Sequence, residues 1–143
     1  MNVRGGKSLT KLHLFNFLNE GKMALVKSMA GDYDEKVIQA RIDSLVSENP
    51  VLMLSFTTCP FCVKAKEILG SSKYTIVELD VDPDGKAIRA ELGNKIGRTS
   101  VPAIWIDGEY MGGCNDGGVI YSGLSGLQRD GTLKSRLEAV GAL

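Results

Sequence analysis

Two thiols separated by two residues, in Cys59-Pro60-Phe61-Cys62, are the part of this sequence best equipped for covalent chemistry. A thiolate is both a nucleophile and a metal ligand, so a C-x-x-C alone means either a redox pair or half of a metal site. Structural zinc takes four ligands, and only Cys114 and His13 remain to complete a set, without the paired spacing such sites use. We therefore expect no zinc site. Pro60 suits the first turn of a helix, where its missing N–H costs nothing. That places Cys59 at the helix N-terminus, where unsatisfied N–H groups and the helix dipole favour negative charge. Cysteines in such places titrate at roughly 3.5–7.5. Cys62, one turn further on, points the same way from a deeper position and can attack a disulfide made by the first thiol. Cys59 is expected to be the nucleophile and Cys62 the resolving thiol.

Positioning this pair requires a strand before it and a helix after it. Val51-Leu52-Met53-Leu54-Ser55-Phe56 is an apolar run of strand length, and the following helix is expected to run to about Leu69. Upstream, Asp32 with Glu35 resembles a capping box opening an amphipathic helix whose apolar positions are Val37, Ile38, Ile42, Leu45 and Val46. Asn49-Pro50 ends it. Downstream, Tyr74 to Leu79 reads as a second strand. Asp82-Pro83 reads as a cap for a helix with Ile88 and Leu92 on one face. Val101 to Ile106 reads as a third strand, and Asp107-Gly108 as a hairpin turn into Tyr110-Met111. From Asp116 onward the chain is expected to form one or two helices broken near Gly131. Helical crossovers imply parallel pairing and the hairpin adds an antiparallel edge, which makes an α/β fold with a mixed sheet.

Composition bounds the rest. The chain has 143 residues, a 43% hydrophobic fraction and no net charge, so it can bury a core without disulfide staples. Nothing global points to nucleic acid or an anionic surface as partner. No apolar run approaches the roughly 20 residues of a membrane span. Three cysteines are too few and too odd in number for a secreted disulfide framework. Residues 1–31 stand apart: Arg4, Lys7, Lys11, Lys22 and Lys27 face a single acid, Glu20. A basic, acid-poor segment of this kind is either an organelle transit segment or an extension packed as short helices around Leu9 to Leu18 and Met23 to Met29. Phe15, Phe17 and Leu18 favour the second reading, because they look like residues to be buried. The expected organisation is an extension over 1–33 and one domain over 34–143, in the cytoplasm, with a plastid or mitochondrion as the alternative.

With Thr99-Ser100-Val101-Pro102 and Gly112-Gly113-Cys114-Asn115-Asp116 following at similar spacing, the Cys59-Pro60-Phe61-Cys62 motif resembles the dithiol glutaredoxins. The likeness covers about residues 35–143 and implies a thioredoxin-like fold with a four-stranded mixed sheet flanked by helices. It implies a glutathione-dependent thiol–disulfide oxidoreductase that reduces protein–glutathione mixed disulfides and protein disulfides, with a potential of about −200 to −230 mV. It also implies a cis Val101–Pro102 bond, with the Val101 backbone beside Cys59 for pairing with an extended peptide.

The implied glutathione-binding set is Phe61, Arg89, Ser100, Val101, Pro102, Gly113, Cys114, Asn115 and Asp116. Asn115 and Asp116, expected at a helix start, would offer free N–H groups to the γ-glutamyl carboxylate and a side-chain carboxylate to its ammonium. Gly112 and Gly113 would let the backbone approach the ligand. Two positions depart from the family. Phe56 stands where many members have Lys, and Arg89 stands where Gln is frequent, so Arg89 is assigned the glycyl carboxylate. Phe61 replaces the frequent Tyr. Cys114 lies near this site, though free cysteines commonly serve as small buried hydrophobes. The rival within the family is a homodimer sharing a [2Fe-2S] cluster through Cys59 and two glutathione molecules; Pro60 speaks against it. Partners are then glutathione and disulfide-containing or glutathionylated proteins, with the chain a monomer and neither nucleic acid nor membrane involved.

Overall fold

The computed structural model describes residues 11–116 and 123–143. Arg4, Lys7 and Leu9 of the basic segment fall outside these residues. In chain order the elements are α1 (Lys11–Ala30), α2 (Glu35–Glu48), β1 (Val51–Ser55), α3 (Pro60–Leu69), β2 (Thr75–Glu78), α4 (Gly85–Ile96), β3 (Ala103–Ile106), β4 (Glu109–Gly112), α5 (Gly123–Asp130) and α6 (Thr132–Ala139).

All five residues of β1 are buried, so side chains alternating along it must enter two separate cores. Val51 and Met53 join Ile104, Ile106 and Met111 under α3, α5 and α6. Leu52 and Leu54 join Ala103 and Trp105 under α2 and α4. This is the α/β sandwich expected of the thioredoxin-like fold: a four-stranded mixed sheet in the order β2-β1-β3-β4. β1 pairs parallel with β2, and β3 pairs antiparallel with both β1 and β4.

The antiparallel β1–β3 pairing corrects the expectation that the three strands joined by helical crossovers run parallel, with the hairpin alone adding an antiparallel strand. Cys59 follows the C-terminal end of β1, and its Sγ lies 3.9 Å from the Val101 carbonyl oxygen just before β3. The chain therefore re-enters the sheet at the end where β1 leaves it, and β3 has to run back. The hairpin turn follows expectation, with Asp107 and Gly108 at φ 53° and 75°.

Two expected caps move. The N-cap of α2 is Asp34, which accepts from the N–H groups of Lys36 and Val37, rather than Asp32. α4 begins at Gly85 behind Asp84, while Asp82 pairs with Arg41 at 2.6 Å and accepts from the Asp84 N–H. A side chain at Gly85 has no room: its Cβ would stand 1.8 Å from the Leu79 carbonyl oxygen.

The N-terminal segment differs most from expectation. α1 is one continuous helix, not two short ones, and Val26 is its sole buried residue. It docks through one stripe at helical spacing: Asn19, Lys22, Met23 and Val26. Asn19 Nδ2 donates to the Gly97 carbonyl at 2.7 Å, and the Met23 side chain lies against Gly93 of α4. Phe15, Phe17 and Leu18 are exposed, at 63%, 71% and 61%. Phe17 and Leu18 fall off the docked stripe, and Phe15 precedes it by a full turn.

A buried acid fastens the helical layer. Glu91 of α4 is fully buried and accepts from Tyr33 Oη (2.8 Å), Gln39 Nε2 (3.0 Å) and Asn94 Nδ2 (3.0 Å). Burial alone would push its carboxyl up, but these three donors together hold it below the usual range. Burial and Glu91 push Tyr33 up to about 12. A depressed folded pKa contributes stability that is complete above the unfolded pKa and is lost as pH falls through the folded value. Glu91→Gln should therefore lower the unfolding free energy by about 1–3 kcal/mol at neutral pH, since an amide presents donors to donors. In urea titrations the gap from wild type should shrink as pH falls through the Glu91 range; a gap constant down to pH 3 would contradict this account.

Candidate active site

β1 ends at Ser55, and Phe56, Thr57 and Thr58 carry the chain to Cys59, the N-cap of α3 (φ −82°, ψ 120°). The Cys59 side chain makes no cap hydrogen bond, and Pro60 occupies the first turn as expected. The loop is held by Asp80, just past β2. Its carboxylate accepts from the Thr57 N–H at 3.1 Å and from the Thr57 hydroxyl, and this bonding lowers the Asp80 pKa.

All three cysteines are free thiols. Cys59 is half-buried and faces the carbonyl of Val101, whose bond to Pro102 is cis. Cys62 is completely buried. Burial, reinforced by Cys59, pushes its thiol up to about 11, although the Phe56 N–H 3.4 Å away and the Ser55 hydroxyl pull the other way. The two thiols thus sit in contrasting surroundings, one at an open helix end and one in the core.

Beside them is a cavity of about 350 Å³. Phe61, Arg89, Ser100, Val101, Pro102, Gly113, Cys114, Asn115 and Asp116 all line it, so the structure brings the nine expected ligand-site residues around one space. Phe56, Arg98 and Lys22 line it too. Phe61 is 54% exposed at its mouth. Gly113 is backed by the Pro102 carbonyl, 3.0 Å from where a Cβ would stand. Cys114 is buried, with its Sγ 3.7 Å from Ser125 Oγ.

The charged residues are arranged differently from expectation. Arg89 lies over the Phe56 ring, 5.0 Å from its centroid, and its Nε donates to the Thr99 carbonyl at 3.0 Å. Burial lowers its pKa. Asp116 does not extend alone into the cavity: both its oxygens are engaged by Arg98, at 3.0 and 3.1 Å, and one also takes the Gly113 N–H. The expectation that Asn115 and Asp116 begin a helix rests on residues 117–122, which lie outside the described residues; α5 starts at Gly123.

Sequence reasoning missed Lys22 and Arg98. Arg98 sits two residues before Ser100, close enough to the Thr-Ser-Val-Pro motif to have been noticed. Lys22 belongs to the basic segment, and no local pattern links it to a motif nearly eighty residues away. Its Nζ lies 3.0 Å from Ser100 Oγ.

The family model named Glutaredoxin matches residues 51–111. A glutaredoxin of Solanum lycopersicum is 36% identical over 106 residues, covering 73% of this chain and 92% of that protein. The chain belongs to the glutaredoxin family. A chloroplastic glutaredoxin of Oryza sativa is 37% identical over 81 residues; the match takes in 55% of this chain and 61% of that longer relative. Among solved structures, the buckwheat glutaredoxin–glutathione complex superimposes with a TM-score of 0.67 at 33% identity, over 76% of this chain and 94% of that one. As a glutaredoxin, the chain is a thiol–disulfide oxidoreductase with a thioredoxin-like fold.

The contrast between the thiols is open to a direct check. Alkylation of the reduced glutaredoxin with iodoacetamide at pH 7.5 should modify Cys59 at least about tenfold faster than Cys62, whose thiolate is scarce and enclosed. Peptide mass spectrometry of timed samples reads this; labelling of Cys62 at the rate of Cys59 would refute it.

Proposed function

We propose that this glutaredoxin works with glutathione, reducing protein–glutathione mixed disulfides and, through its second thiol, protein disulfides. The observation that carries the reading is the cavity beside Cys59, where cationic side chains surround one carboxylate, Asp116. Glutathione carries the complementary set, two carboxylates and one ammonium. In this reading Arg89 takes the glycyl carboxylate with its terminal nitrogens, its Nε being used on Thr99. Asn115 and the backbone around Cys114 take the γ-glutamyl carboxylate. Asp116 takes the ammonium, sharing its charge between that group and Arg98. The Val101 backbone pairs with the cysteinyl part of the ligand, Pro102 and Gly113 leave room for it, and Ser100 and Phe61 form its walls. Residues 34–143 then act as the catalytic unit, with 1–33 as an extension and the chain as a monomer. The chloroplastic relative supports a plastid as a compartment alongside the cytoplasm.

The reaction begins with the Cys59 thiolate attacking the glutathione sulfur of a mixed disulfide. The sulfur–sulfur bond breaks, the protein thiolate leaves and takes up a proton, and glutathione remains on Cys59. A second glutathione thiolate attacks this new disulfide, releasing oxidised glutathione and restoring Cys59. On a protein disulfide, Cys59 instead becomes joined to the protein, and Cys62 attacks the Cys59 sulfur to release it. Cys62 is suited to that later step. Once Cys59 is tied in a disulfide, its contribution to the raised Cys62 pKa is gone, and the Phe56 N–H remains to stabilise the thiolate.

Turnover of a peptide–glutathione mixed disulfide tests the reading. Cys59→Ser should lose activity by about a thousandfold or more, because no other thiol replaces the nucleophile. Cys62→Ser should keep activity on this substrate while losing it on a protein disulfide. A Cys62→Ser variant inactive on both would break the division of labour. Arg89→Ala should lower kcat/KM for the glutathione mixed disulfide by about tenfold, the loss of one charge-assisted contact; an unchanged value would remove Arg89 from the site.

A further inference from the structure

Within the glutathione reading above, on which this step rests, we infer that the N-terminal helix is part of the ligand site. Lys22 of α1 is its second glycyl-carboxylate contact, acting beside Arg89. Lys22 lies outside residues 51–111 that the family model matches, and its assignment comes from where the fold puts it. α1 docks on α4 through the Asn19, Lys22, Met23 and Val26 stripe, with Asn19 bonded to Gly97 at the C-terminal end of α4. This registers the helix so that Lys22 projects over the Arg98–Val101 segment. Its Nζ donates to Ser100 Oγ at 3.0 Å, and the residue lines the same cavity as Arg89 and Arg98.

The charge arrangement is what identifies the ligand group. Three cations, Lys22, Arg89 and Arg98, line the cavity with one carboxylate, and Arg98 already engages both oxygens of Asp116. Among the described residues, Lys22 and Arg89 therefore line the cavity with no second acid beside them. Although much of its side chain remains exposed, Lys22 has a lowered pKa, first from burial and then from the charges of Arg89 and Arg98. A carboxylate between Lys22 and Arg89 relieves this repulsion. Lys27 of the same helix shows the contrast. It pairs with Glu35 at 2.8 Å and does not line the cavity. The glycyl end of glutathione is the better match than the γ-glutamyl end, which carries its own ammonium and would set a cation against two others.

The test uses the full chain, with the second-order rate constant for reduced protein reacting with a peptide–glutathione mixed disulfide. The same peptide carrying glutathione glycyl ethyl ester, in which the glycyl charge is absent, serves as the comparison. Lys22→Gln should slow the reaction with glutathione by about fivefold to twentyfold and the reaction with the ester by less than about twofold. Lys22→Arg should retain most of the rate, and Lys27→Gln should match wild type on both substrates. Equal losses on both substrates, or no loss on either, would overturn the assignment of Lys22, as would a faster reaction in Lys22→Gln. A wild-type protein that reacts no faster with the glutathione mixed disulfide than with the corresponding cysteine mixed disulfide would instead overturn the glutathione reading itself, and Lys22 with it.

Discussion

The site depends on the direction of β3. β1 and β2 run together, β3 runs against them, and β4 runs against β3. The C-terminal ends of β1, β2 and β4 and the N-terminal end of β3 therefore meet at one edge of the sheet. From that edge come the Cys59 loop, Asp80, the Gly113–Asp116 segment and the Arg98–Pro102 segment, in that order. Were β3 parallel to β1, Val101 would enter at the opposite edge, more than the length of a strand from Cys59. β1 is buried on both faces and cannot slip by a residue without exchanging its Val51 and Met53 set with its Leu52 and Leu54 set. The register that builds the core thus also fixes where Cys59 emerges.

Electrostatics then separates tasks within that edge. Cys59 takes the helix end, where N–H groups face outward, and Cys62 takes the core, where charge is disfavoured but one N–H waits for it. The acids near the site are similarly divided by their partners. Asp80 is committed to Thr57 and holds the loop, while Asp116 is committed to Arg98 and closes one side of the cavity. Glu91, fully buried, lies in the helical layer and joins α2 and the segment before it to α4. Two of these ties hold loops at the sheet edge and the third holds helix to helix, so the cavity inherits its shape from several independent contacts rather than from one.

What could be read from the sequence was local or periodic. The apolar run of β1, the Asp107-Gly108 turn, the proline opening α3 and the spacing of the three motifs each state their structural role within a few residues. The cap of α2 is ambiguous in sequence because Asp32 and Asp34 both offer a capping carboxylate, and only backbone direction selects Asp34. The β1–β3 direction was missed because a helical crossover normally returns the chain to the starting edge, and sequence does not record where α4 ends in space. Phe15, Phe17 and Leu18 looked buried on composition, yet burial depends on what faces them. Lys22 was the hardest to see. A lysine in a basic helix carries no local mark of its contact with Ser100, a residue that approaches it only through the packing of α1 on α4.

Phe56 has its own part in placing charge at the cavity. A hydrophobe at the end of β1 removes a charge from the Cys59 loop, but its ring gives Arg89 a surface to lie on, which the flexible arginine otherwise lacks. Nε of Arg89 is fixed by Thr99, so the guanidinium is held at two points before any ligand arrives. A cation preorganised in this way loses less freedom on binding than a lysine on a loop would. The remaining charge then comes from a different element: α1 brings Lys22 in from the far side of the Arg98–Val101 segment. Cationic character at the cavity is therefore distributed over α1, α4 and the loop before β3, and the helix that looks from its sequence like a detachable appendage is tied to the cavity beside Cys59.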